Sequence, residues 1–123
     1  PDFFERVKIA TDAKLSLMSI YPSILLFLSS VYCERDKRVE SEIKEFKLKN
    51  RTFSNQIALK GIDDSKFKPD IDINLVFKIL LYFTEGYLSK IPIRNNSDIR
   101  LMINELGECL NLLKNNFYKE SCL

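Results

Sequence analysis

The sequence predicts an all-α fold, a five-helix bundle, on three observations. Apolar residues recur at three- and four-residue steps, strand-like alternation is weak everywhere, and only three Gly and four Pro occur in 123 residues. A chain of this length can bury a sizeable core without disulfides or a structural metal. Hydrophobic residues make up 46% and charged residues 29%, the balance of a folded domain and not of a disordered segment. No repeat, low-complexity tract or linker divides it, so residues 1–123 read as one domain.

The first helix is predicted from about Phe3 to Ile20. Asp2 followed by Glu5 fits a capping box, and Phe3, Val7, Ala10, Leu17 and Tyr21 follow one face. Pro22 ends that helix and opens the next, which runs to about Cys33. Its apolar run Ile24 to Leu28 and Val31 predicts a helix surrounded by others. The third helix starts near Asp36 with a narrow stripe of Val39, Ile43, Phe46, Phe53 and Ile57, so it should lie outermost, with Gly61 as its C-cap. Asp63 to Asp70 reads as a loop, and Asp70 or Asp72 can cap the fourth helix, about Ile73 to Lys90. That helix is polar only on the arc of Asn74, Lys78, Glu85 and Ser89, so it should be covered on two sides. A break at Ile91 to Asn96, containing Pro92, leads to Ser97 as N-cap of a last helix ending near Tyr118.

Two seams stand out on the last two helices. Ile99, Ile103, Leu106, Leu110, Leu113 and Phe117 form a heptad-like stripe on the fifth. Leu75, Ile79, Tyr82 and Gly86 form another on the fourth, distinct from the face of Val76, Leu80, Phe83 and Tyr87. One face can serve the core and the other a neighbour. Gly86 lowers helix propensity by about 1 kcal/mol against Ala, which points either to another backbone passing close by or to simple tolerance.

The composition excludes several function classes. Net charge is +2, and lysines alternate with glutamates between Glu40 and Lys47, so no stripe able to neutralise successive phosphates is present. His is absent, and Cys33, Cys109 and Cys122 are too scattered for a metal or redox motif, so neither a metal site nor a cofactor is expected. Such thiols suit a reducing cytoplasm. The most apolar stretch, Ile71 to Leu88, carries Asp72, Asn74, Lys78 and Glu85 and predicts no membrane span. No catalytic motif appears, so no enzymatic activity is expected.

Four segments together resemble the C-terminal regulatory domain of bacterial TetR/AcrR-family transcriptional regulators, over essentially the whole chain. They are DFFERVK (Asp2 to Lys8), YPSILLFLSSVY (Tyr21 to Tyr32), FKPDIDINLVFKILLYFTEGY (Phe67 to Tyr87) and LKNNFYKE (Leu113 to Glu120). The resemblance implies a domain whose last two helices pair with their symmetry mates in a four-helix homodimer interface. It also implies an effector pocket inside each protomer. The family's N-terminal helix-turn-helix half is not among these residues, which begin at Pro1 where the regulatory half would begin. Binding of operator DNA is thereby assigned to that missing half. Leu75, Ile79, Tyr82, Gly86, Ile103, Leu106, Leu110 and Leu113 are the candidate interface.

Candidate ligand contacts follow from polar or aromatic groups on inward stripes. Lys14, beside Leu17, interrupts the stripe of the first helix, where its ammonium must snorkel outward or meet an anion. Asn50 interrupts the stripe of the third helix, as an inward polar handle or a boundary residue. Tyr21, Tyr32 and Tyr87 combine apolar rings with hydroxyl tips, and Phe53, Phe77 and Phe83 either line a pocket or fill a core. Two functions fit. One is an effector-sensing regulatory domain that binds a small hydrophobic molecule; the other is a helical dimerisation or adaptor module with a filled interior. An internal cavity of about 300 Å³ or more separates them.

Overall fold

The computed structural model describes residues 2–91 and 93–123. Pro1 and Pro92, read above as the start of the regulatory half and as part of the break before the last helix, lie outside the described residues. Among those described, five α-helices and two short 3-10 turns make up the regular structure, with no strand beyond two isolated bridges. The helices are α1 (Phe3–Ile20), α2 (Pro22–Cys33), α3 (Glu40–Leu59), α4 (Ile73–Lys90) and α5 (Asn96–Phe117). The 3-10 turns are Lys37–Val39 and Glu120–Cys122.

The helix boundaries follow local chemistry. Asp2 caps α1 by accepting from the Glu5 amide at 3.0 Å. Pro22, at the first position of α2, lets the chain turn by 109° between α1 and α2. Gly61 follows α3 at φ 67°, a left-handed conformation that side chains disfavour. Asp72 caps α4 through the Asn74 amide at 2.9 Å. The cap of α5 is Asn95, accepting from the Asp98 amide at 3.0 Å, so the helix starts before Ser97. No single described helix is long and apolar enough to cross a membrane.

Two apolar clusters hold the bundle together. The first joins Phe3, Phe4, Ala58, Phe67, Val76, Phe77, Leu80, Leu110 and Tyr118. Phe67, Phe4, Phe3 and Tyr118 meet ring against ring, with Phe67 and Tyr118 centroids 4.9 Å apart at 78°. Around it the loop before α4 is laced to the C-terminus: Lys68 donates to the Phe117 carbonyl at 2.9 Å and Lys119 to that of Lys66 at 2.8 Å. The second cluster joins Leu25, Tyr32, Tyr87, Leu88, Ile93, Ile99 and Met102.

Two expectations are corrected by this packing. α2 is not enclosed: Leu25 and Tyr32 are buried, but Leu26 and Phe27 are 50% and 56% exposed, because α1 and α4 cover only one side of it. The α5 seam does not face outward. Leu110 lies in the first cluster, Leu106 and Leu113 pack against it, and Ile103 packs against the second. α5 turns its apolar stripe to its own bundle, which buries Ile99 and Leu110 and leaves Ile103, Leu106 and Leu113 partly exposed. A methyl group placed at Gly86 would meet no atom of the described residues within 4 Å, so any backbone close to it would have to come from another molecule. By contrast Leu75, Ile79 and Tyr82 on α4 stay about half exposed, with the Arg51 guanidinium over the Tyr82 ring 5.9 Å from its centroid.

Candidate functional site

Between the two clusters the helices leave a cavity of about 360 Å³. α1 supplies one long wall, from Arg6 through Ala10, Lys14 and Leu17 to Met18. α2 contributes Ile24, Leu25, Leu28 and Tyr32, and α3 contributes Asn50, Ser54, Ile57 and Ala58. α4 crosses opposite with Phe77, Leu80, Leu81, Thr84, Glu85 and Leu88, while Met102 and Leu106 of α5 close the end. Leu80 and Ala58 belong to the first cluster and Leu25, Leu88 and Met102 to the second, so the cavity is the seam between two packed regions.

A few polar groups converge on this apolar lining. The Asn50 amide donates to the Tyr32 hydroxyl at 3.0 Å, joining α3 to α2. Burial pushes the Tyr32 hydroxyl pKa up, partly offset by that hydrogen bond. Arg51 makes a two-pronged ion pair with Glu85, both contacts 2.7 Å, which ties α3 to α4 and balances the one carboxylate at the wall. Hydrogen bonding to Glu85 raises the Arg51 pKa above its ordinary value. Arg6 spends its guanidinium on the carbonyls of Ile57 and Lys60 at the end of α3. Lys14 has no acidic partner among the described residues; solvent reaches it through the mouth of the cavity, and the surrounding apolar atoms lower its pKa.

Five of the nine residues singled out as ligand contacts come together at the cavity: Lys14, Leu17, Tyr32, Asn50 and Phe77. The other four do not. Tyr21 sits at the turn between α1 and α2, 55% exposed. Phe53 is exposed because, three residues beyond Asn50, it falls about 60° round the helix, and Ser54 takes the inward place. Phe83 and Tyr87 belong to the second cluster, their rings 6.0 Å apart, and so fill core.

Sequence reasoning missed Ser54, Thr84 and the Arg51–Glu85 pair. Ser54 was within reach as the residue four beyond Asn50. Glu85 lies on the polar arc of the fourth helix, yet only 14% of its side chain is exposed; an attraction between residues 34 apart leaves no local pattern. No protein-family model, curated protein or solved structure matches this chain.

Proposed function

We propose that this chain is an effector-sensing and dimerisation domain of the TetR regulatory type, binding a small hydrophobic molecule in the cavity between α1 and α4. The single observation that carries this reading is the cavity itself. Its 360 Å³ lies within the range of small-molecule sites, and its lining is apolar with a few convergent polar groups. A filled interior, which the adaptor reading requires, is harder to reconcile with it. Because all five helices contribute walls, an occupant touches α1, and a ligand preferring one orientation of that helix would shift the population of the whole domain. DNA reading would belong to a head outside these residues.

The same reading gives the half-exposed face of α4 to a second copy of the chain, with Ile79 and Tyr82 near its centre. Native mass spectrometry of the purified protein, with thermal unfolding against a panel of hydrophobic compounds, tests the cavity. A retained molecule or a compound-specific rise in Tm is expected; absence of both favours the adaptor. Light scattering tests the pairing: a dimer is expected for the wild type and a monomer of unchanged helicity for Ile79→Glu. A folded wild-type monomer would remove dimerisation from the proposal.

A further inference from the structure

The charges at the cavity wall are not balanced. Three charged side chains line it: Arg6, Lys14 and Glu85. Glu85 is neutralised by Arg51 through two contacts of 2.7 Å, and Arg6 is held by backbone carbonyls. Lys14, halfway along the α1 wall at the edge of an apolar space, makes no hydrogen bond or ion pair among the described residues. Lys14 is solvent-accessible, but an ammonium bordering an apolar lining gains from an anion that reaches it, because the attraction is less screened there than in open water. A neutral ligand gains nothing from that attraction, and a cationic one adds repulsion from Lys14 and Arg6.

We infer that the effector is an amphipathic carboxylic acid, its carboxylate held by Lys14 and its apolar body lying against Phe77, Leu80, Leu88 and Met102. The inference rests on the effector reading above and sharpens it: the positive wall selects for a negative head group, and the apolar lining for a hydrocarbon tail. Thr11, one turn before Lys14 on the same wall, can donate a second hydrogen bond to the carboxylate.

Isothermal titration at neutral pH tests it with octanoate, decanoate and dodecanoate, the matching straight-chain alcohols, and decyltrimethylammonium, all below their micelle concentrations. In the wild type the best acid should bind about tenfold more tightly than its alcohol, and the cation most weakly, as one charge-assisted hydrogen bond provides. Lys14→Met keeps the apolar stem and should bring acid and alcohol within about twofold. Lys14→Arg should retain the preference for the acid. Circular dichroism of both variants checks that the helices are intact. Equal binding of acids and alcohols by the wild type overturns the inference while leaving the cavity an effector site. A preference undiminished in Lys14→Met overturns the role of Lys14. No binding of any probe to the wild type overturns the inference and the effector reading together.

Discussion

At one end of the bundle Phe3, Phe4, Phe67 and Tyr118 close ring against ring, whereas two turns further along α1 the space between the same helices stands open. Both regions draw on α1 and α4. The difference lies in what else arrives. At the closed end the loop before α4 brings Phe67 and the C-terminus brings Tyr118, so four elements fill one volume. In the middle no such element arrives, and small side chains, Ala10, Ala58, Ser54 and Thr84, stand among the lining residues. Packing concentrated in one region leaves the other open, the feature on which the proposed ligand site rests.

The closed end also has its own polar lock. Asp2 is buried, receives the Tyr118 hydroxyl at 2.6 Å and the Lys66 ammonium at 3.0 Å, and caps α1. Burial by itself would raise the Asp2 carboxyl, but these hydrogen bonds outweigh it and bring its pKa to about 2. Burial and then the bond to Asp2 push the Tyr118 hydroxyl well above its ordinary value. The two termini are thereby held to one another.

The largest test of the contrast is truncation of one buried side chain in each region. Phe3→Ala should cost about 3–5 kcal/mol in urea unfolding, since the closed end leaves a new void; Met102→Ala at the cavity wall should cost about 2 kcal/mol. Equal costs would mean that the two regions do not differ in packing. Acid titration comes next. Asp2 is ionised more readily folded, about 2, than unfolded, 3.8, so its contribution is complete above pH 4 and lost as the pH falls towards 2. That loss should amount to about 2 kcal/mol and be missing in Asp2→Asn. The smallest effect sharpens the reading of α4. With nothing near its Cα, Gly86→Ala should raise stability by about 1 kcal/mol. A gain with unchanged molar mass in light scattering puts no partner backbone at Gly86; a drop in mass puts one there.

The helices were legible because their signals are local. Asp2, Pro22, Gly61 and Asp72 mark ends by chemistry acting within a few residues, and three- and four-residue spacing marked the faces. Lys14 and Asn50 were legible for the same reason, as polar interruptions of apolar stripes, and both reach the cavity.

What periodicity cannot say is which of two apolar faces the chain keeps for itself. The stripe from Ile99 to Phe117 and the seam from Leu75 to Gly86 look alike in sequence, yet packing buries Leu110 and leaves Ile79 half exposed. Spacing also could not tell Tyr32, at the cavity, from Tyr87, in the core, nor bring Arg51 to Glu85 or Tyr118 to Asp2 across 34 and 116 residues. The sequence by itself determined five helices, their ends and the residues able to face inward, because backbone hydrogen bonding and side-chain period act over a few residues. Only the tertiary structure decided where two clusters meet imperfectly and leave a cavity, because a void is set by the summed shapes of side chains from all five helices.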